Sequence, residues 1–559
     1  MGLLLAALIA AAGTPAMAAA PRPAVAGASA SGVEGYTPAF FSDGKPNTAW
    51  DMIARLPGFA FDGGAQVRGF AGAAGNVLVR SRLDAQAGGK SIKTTSSFES
   101  PWGAGKFKIN ALALYDRYTD NEDDALSYPG PGTETLHDNR EQSRGELGLH
   151  YEQPLSPRES LEVLAIQQAH KQIHLSHFQA AGEDDLFREA DTSGESIARA
   201  VYRFRKSDAF STEIAAEGAF NIQDSDSRYT ENGADVALPA ARVTVSERRG
   251  ELSASATWKP SSRLMLEAGG RAEVSNIRST GDVELSKTLF YPKPRVVLTW
   301  SPDARDQVRL RVERELGQLD FADFAAASSL GAGSSAVQAG NPNLVPQQSW
   351  VAEAAYEKHV LDWVLVATAR HSRITDVIDR VPIYDPSGAY DAPGNIGTAE
   401  QNEIELNLTV PLDRLGIKRA QIKAQGTFRD SRVADPTTGQ MRRISGQHPW
   451  DGEAHFTQDL PRYKVTWGVD AYNYWRETYY RFAEIDTFRL KTWVTLFAEY
   501  KPRPDLGFRM ELDNIGARGF ERVLNVYAGP RNTSPLLYVD DRRQDFKPFL
   551  YLRVRKTFA

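Results

Sequence analysis

The chain closes on Phe549-Leu550-Tyr551-Leu552-Arg553-Val554-Arg555-Lys556-Thr557-Phe558, with Ala559 behind it. Leu550, Leu552, Val554 and Phe558 fall on one face at period two, and Tyr551, Arg553, Arg555 and Thr557 on the other. Such a strand suits a wall with lipid on one side and water on the other. Chain ends of soluble domains are usually frayed and polar. A membrane barrel has reason to end on a strand, because its last strand pairs with its first and removes the edge.

At 559 residues the chain has room for several soluble domains or for one large barrel with long loops. No internal run reaches the ~20 apolar residues of a membrane helix. Barrel strands place an apolar residue only at every second position, so hydropathy passes over them. A net charge of −6 is small for this length and speaks against a nucleic-acid partner. With no cysteine there are no disulfides, thiol chemistry or thiolate metal sites. Leu3 to Ala12 is a short apolar core followed by Thr14-Pro15 and Ala16-Met17-Ala18, the pattern of a signal peptide over residues 1–18. Residues 19–45 read as a flexible leader, rich at first in Ala, Pro, Gly and Ser. A short helix is expected from Asn47 or Thr48 to Leu56, stopped by Pro57-Gly58.

Beyond about Lys90 the chain alternates. Val308 to Glu313, Ile404 to Val410, Ile422 to Phe428, Tyr463 to Ala471 and Leu506 to Asp513 all put apolar side chains at every second position. Arg, Lys, Glu and Asp occupy many of the positions between, as a watery lumen requires. The connections alternate as well. Ser156-Pro157-Arg158, Lys259 to Ser262, Ser301 to Asp306, Leu460-Pro461-Arg462 and Lys501 to Asp505 are short. Asp120 to Asn139, Phe321 to Val345 and Asp430 to Met441 are long and polar. Short turns on one side and long loops on the other describe a transmembrane barrel. Trp258, Trp300, Trp475, Trp493 and Tyr500 near strand ends fit interfacial girdles. The fold expected is all-β: a transmembrane antiparallel barrel of about 20–22 strands over residues 90–559.

Several motifs carry a family resemblance. Asn47-Thr48-Ala49, Leu56-Pro57-Gly58, Asp62-Gly63-Gly64, Val67-Arg68-Gly69-Phe70 and Asn76-Val77-Leu78-Val79 resemble the opening half of the plug domain of TonB-dependent outer-membrane receptors. Gly340-Asn341-Pro342-Asn343-Leu344-Val345-Pro346, followed by Ser349-Trp350, resembles the segment that ends a long external loop in these receptors. Tyr551, Val554 and Phe558 match the closing signal read by barrel-assembly machinery. The resemblance implies outer-membrane lipid as surroundings, a small scarce ligand such as a ferric siderophore, no cofactor, and the TonB–ExbB–ExbD energising complex as partner. The partner's docking box falls by position in Val33-Glu34-Gly35-Tyr36-Thr37, an extended stretch suited to strand addition.

The chain departs from the family at one place. The family has 22 strands, and its plug continues after a motif like Asn76 to Val79 for about seventy more residues within the lumen. Here Arg80-Ser81-Arg82-Leu83 follows, and strand-like sequence is reached within about ten residues. The plug, residues 46–80, is therefore expected to be partial. An internal loss of its second half and of the first hairpin accounts for this most simply. A natural minimal plug, or a barrel that starts elsewhere in the chain, would account for it as well. A plug-deficient passive porin or a non-functional receptor is the alternative function.

No catalytic constellation emerges. His170 and His174 stand four apart, which is one face of a helix but not a pairing rule of strands. His174 and His177 suit a solvated loop better than a metal site, and the acidic runs at Asp120 to Asp124 and Glu183 to Asp185 suit solvated outer loops better than calcium.

Overall fold

The computed structural model describes residues 81–86, 89–126, 132–331, 334–385, 388–474 and 476–556. The expected signal peptide, leader and plug lie outside these residues, including Val33 to Thr37, Leu56 to Gly58 and Val67 to Phe70. Phe558 lies outside them too.

The wall is one antiparallel meander. Of the 22 strands in the large sheet, Ala234–Val236 and Met441–Arg442 are short pieces folded onto the ends of their neighbours, leaving twenty wall strands. Each pairs with the next wall strand in chain order. Tight hairpins join them at one end: Trp102 pairs with Gly105, Ser156 with Glu159, Ser207 with Phe210, and Val360 with Trp363. The sheet already contains Ser81–Gln86, ahead of the boundary expected at residue 90.

The strands fold as an inverted protein, apolar outward and polar inward. In the Phe210–Glu231 strand, Ile214, Phe220 and Ile222 are exposed while Asn221, Gln223 and Ser225 are buried. In Leu506–Asp513, Phe508, Met510 and Leu512 are exposed while Arg509, Glu511 and Asp513 are buried. Burying carboxylates and guanidiniums beneath exposed leucines is unfavourable in water and favourable in lipid around a polar lumen. The outward band has a measurable height. Along Leu285–Trp300 it runs from Phe290 to Trp300 through Pro292, Pro294, Val296 and Leu298. That span of about ten residues, tilted, matches a bilayer core. Trp102, Trp258, Trp300 and Tyr500 lie exposed at the tight-turn end, where indole and phenol groups favour the lipid interface. Among the described residues no helix is long and apolar enough to cross a membrane.

Above the band the strands keep going. Gly105–Leu126 and Gly132–Ser156 remain paired from Lys106–Glu152 up to Leu126–Gly132. The polar segment expected as a loop from Asp120 to Asn139 is thus largely a strand extension, with Asp120 opposite Asp138. Register propagates wherever both backbones can pair, and above the lipid nothing requires apolar side chains to face outward, so the alternation is lost even though Leu136 is buried with Phe178 and Phe187. Elsewhere the outer connections form two four-stranded sheets of their own. Ala327–Gly331, Ser334–Gln338, Ile378–Asp385 and Gly388–Asn395 make one, and Arg476–Tyr480, Glu484–Leu490, Gly519–Tyr527 and Leu536–Asp545 the other.

The closing strand Phe549–Lys556 pairs along one edge with Leu506–Asp513, joining Phe508 to Val554 and Leu512 to Leu550. Among the described residues no ladder joins its other edge to Ser81–Gln86 or to Gly89–Trp102. The expected pairing of last strand with first is therefore not formed by these residues.

Candidate functional site

The inner face of the wall carries a ladder of alternating charges that runs across successive strands. Arg249 reaches Glu217 at 2.9 Å and Glu273 at 3.9 Å, and Lys293 reaches Glu273 at 2.9 Å and also pairs with Glu251. Glu313 takes Arg295 at 3.2 Å and Arg311 at 3.2 Å, and Arg311 continues to Glu353 at 2.8 Å. Arg370 bridges Glu353 at 2.9 Å and Glu403 at 3.2 Å, and Arg429 joins Glu403 at 2.6 Å and closes on Asp451. Period-two alternation puts every one of these residues on the lumen side, and cross-strand register sets opposite charges side by side. Single wetted pairs contribute little, whereas a shared network fixes register and holds both signs in place. A ladder of this kind presents a hydrophilic, charge-compensated wall to whatever passes.

At its outer end the lumen is roofed by inward-folded loops. The segment after Asp306–Leu316 turns into the 3-10 helix Phe321–Phe324, capped by Asp320, whose carboxylate accepts from the Ala322 N–H at 3.0 Å. Phe321, Phe324 and Leu344 are buried against Val243, Val245 and Ile277 of the wall. Ser227 donates to the Ala326 carbonyl at 2.8 Å, tying the loop to a strand 99 residues upstream.

The Gly340 to Pro346 motif is the clasp of this roof. Asn341 donates from its backbone to Asp323 at 2.9 Å and from Nδ2 to the Pro393 carbonyl at 2.8 Å. Asn395 accepts from the Val345 N–H at 2.9 Å and donates back to the Val345 carbonyl at 2.9 Å. Lys287, on the wall above the apolar band, donates to the Pro342 carbonyl at 3.1 Å and to that of Leu344. Burial holds its ammonium down at about 8. Gly340 permits a close backbone approach, since a Cβ there would lie 2.3 Å from the Phe324 carbonyl oxygen. The motif therefore shapes the loop, and its side chains are spent on backbone groups.

A second knot ties the remaining loops. Asp435 takes Arg531 at 2.7 Å and Arg442 at 2.6 Å. Arg442 also reaches Asp379 at 2.8 Å. Both guanidiniums lie over the Tyr480 ring, at 4.6 and 5.7 Å from its centroid, a favourable arrangement for delocalised cations. Burial pushes the Asp435 carboxyl up, but the hydrogen bonds from Arg531, Arg442 and the Thr438 N–H together hold it at about 2. Asp323 and Asp391 follow the opposite course and are raised to about 6, by burial first.

The histidines singled out in the sequence lie on the strand Glu159–Ala180 and not in a solvated loop: His170 meets Gln142 at 3.3 Å, and His174 and His177 join ion pairs. His174 lies 2.9 Å from Asp138 and 3.8 Å from Glu189, and His177 lies 2.6 Å from Asp184. Among the described residues no group of three or more His, Cys, Asp or Glu side chains is placed to hold a metal ion. In the closing strand, Val554 is exposed outward, while Arg553 on the opposite face lies over the Tyr551 ring and 3.6 Å from Glu511. The charge ladder and the Asp435 knot were not found from sequence, because their partners come from separate strands and loops.

A meandering barrel with apolar outer and charged inner faces, roofed by its own long connections, defines a membrane-spanning receptor or pore. Residues 69–515 match the family model described as TonB dependent receptor-like, beta-barrel, and the chain belongs to that family. This is a family of outer-membrane transport receptors. No curated protein matches the chain in sequence. Among solved structures, the ferric-catecholate import receptor Fiu from Escherichia coli K12 aligns with TM-score 0.57 at 11% identity, covering 86% of this chain and 76% of that one. The copper transporter OprC aligns with TM-score 0.57 at 11% identity, covering 86% and 78%. The siderophore receptor PiuA from Acinetobacter baumannii aligns with TM-score 0.52 at 10% identity, covering 84% and 78%. These likenesses establish the fold.

Proposed function

We propose that the chain is an outer-membrane receptor of a Gram-negative bacterium that takes up a scarce ligand, of which a ferric siderophore is the leading example. The observation carrying this reading is the roofed mouth: loops from distant strands pack onto the wall and onto one another over a charge-lined lumen. The siderophore and copper proteins of like fold are consistent with it. On this reading residues 1–18 direct export, Val33 to Thr37 meet the TonB–ExbB–ExbD complex, and residues 46–80 fill part of the lumen. Expression in a strain lacking its own receptors tests it. Growth on a chelated metal should be restored only when the energising complex is intact. Growth equal in its absence overturns active uptake.

One observation favours a passive, plug-deficient porin instead. The wall strand Ser81–Gln86 follows Asn76 to Val79 almost directly, leaving no room between them for the rest of a plug. Planar-bilayer recording separates the readings, since a porin gives steady ungated conductance and a sealed receptor gives none.

A further inference from the structure

The outer surface of the wall carries a trough that none of the described residues fills. At one level, the strands Glu159–Ala180, Glu183–Ser207, Phe210–Glu231 and Arg242–Ser261 place Ala165, Ala198, Gly218 and Gly250 side by side. The same row continues through Val274 to Phe290, the upper end of the apolar band. Elsewhere the band presents larger side chains, such as Phe290, Val296 and Leu310. The small residues leave an open groove of about 780 Å³, walled by Leu147 and Leu149 on one side and Val274 on the other. A Cβ built on Gly218 or Gly250 would meet nothing within 4 Å.

The outward row immediately above is polar. Gln167, Ser196, Arg248 and Asn276 stand in it, interrupted only by Phe220. Ser196 donates to Gln167 at 2.6 Å and Asn276 to Thr288 at 2.9 Å. Arg248 has no such neighbour. It is exposed, and among the described residues its guanidinium forms neither ion pair nor hydrogen bond. The same holds for Arg278, two residues beyond Asn276 on the same outward face. Diagonal neighbours of this kind stand roughly 7–8 Å apart, so two long side chains can meet on one group. The outward carboxylate of the adjoining strand, Asp224, lies two outward positions above Phe220 and accepts from Thr244 at 2.6 Å. We propose that this face binds an acyl lipid with a phosphate headgroup, drawn from the outer half of the bilayer. Its chains lie in the trough, and its phosphate sits between Arg248 and Arg278. Guanidinium forks match phosphate oxygens, and basic groups at the membrane surface attract anionic headgroups. A second copy of the chain is the poorer occupant. A two-fold axis along the membrane normal keeps equal levels together and sets these arginines against their own copies. The site is the same whether the barrel is a gated receptor or a porin.

Native mass spectrometry of the full chain released from detergent tests this. The probes are lipid A (an acylated disaccharide bearing phosphates), the same lipid stripped of its phosphates, and inorganic phosphate. Lipid A should stay bound and the stripped form should bind at least about fivefold less. Inorganic phosphate at equal concentration should not displace the lipid. Arg248→Gln and Arg278→Gln should each lower lipid A binding about fivefold, the effect of one cation at a membrane surface. Arg248→Lys should lose less. Gly218→Leu fills the trough and should weaken both lipids. Arg414→Gln, at a tight turn on the opposite end and paired with Asp362 at 2.9 Å, should bind as wild type does. Heat-modified mobility on gels shows that each variant is folded. Equal binding of the two lipids, or displacement by inorganic phosphate, overturns the assignment. So does undiminished binding by folded Gly218→Leu or by the folded double variant Arg248→Gln, Arg278→Gln. A dimer that Gly218→Leu breaks apart would give the trough to a second copy instead.

Discussion

Arg531 grips Asp435 with one nitrogen, Nη2, at 2.9 Å from one carboxylate oxygen and 2.7 Å from the other, across 96 residues of chain. The two belong to different outer loops, so this contact decides whether those loops behave as one body. Asp435→Ala leaves Arg531 without its carboxylate and Arg442 with Asp379 alone, in a site where all of these side chains are buried. Removing one partner of such a pair costs about 3–5 kcal/mol where burial is complete. Hydrogen exchange over residues 435–446 and 528–535 should rise sharply in this variant while the wall stays protected. Unchanged exchange would show that the loops are held some other way.

The same carboxylate sets an acid limit. Its folded pKa of about 2 lies below the ordinary value of 3.8, so its contribution is complete above about pH 4 and is lost as pH falls toward 2. Exchange of the same two loops should accelerate over that window in the wild type. The Asp435→Asn variant should show no such step.

Lys287 runs the other way. Burial lowers its folded pKa to about 8 from 10.5, so the cost of burying its charge is full below pH 8 and is relieved as pH rises toward 10.5. The roof should therefore become more stable across that alkaline range, read as slower protease nicking of the 320–346 loop. Lys287→Met should flatten the slope and free the Pro342 and Leu344 carbonyls.

The clasp is sensitive to size as well as to polarity. Leu344 is fully buried with Phe321 and Phe324, so Leu344→Ala should cost about 2–5 kcal/mol of loop stability. Gly340→Ala should also disturb the roof, because the Phe324 backbone would have to retreat from the new Cβ. Protease nicking near Phe324 measures both.

In the lumen, Glu353→Gln leaves Arg311 and Arg370 without their shared partner. Water in the lumen and the exposure of Arg370 soften the loss to about 1–2 kcal/mol. A lower midpoint for heat-modified mobility is the expected readout. An unchanged midpoint would show that the ladder contributes nothing to wall stability.

The wall was legible in the sequence because lipid imposes a strict rule on every second residue. Val308 to Glu313 and Leu506 to Asp513 obey it, as does the closing strand from Leu550 to Val554. The turn at Ser156 to Glu159 was equally readable, since Pro157 marks it. The strand extensions at Asp120 to Asn139 escaped because, beyond the lipid, the outward face no longer has to be apolar, and the backbone ladder continues without the alternation. The Asp435 knot was invisible for a different reason. Its members are brought together by how separate loops fold inward, and no local spacing encodes that.

Among the described residues the closing strand carries its ladder to Leu506–Asp513 on one edge alone, which makes the entropy of its two possible pairings uneven. That pairing closes a stretch of about 50 residues. A partner at the other end of the sheet stands roughly 460 residues upstream, a loop whose closure entropy is on the order of 5 kcal/mol. Bringing the two ends of the sheet together is therefore the costlier contact in chain entropy, and until it forms the free strand edges stay open to a second chain.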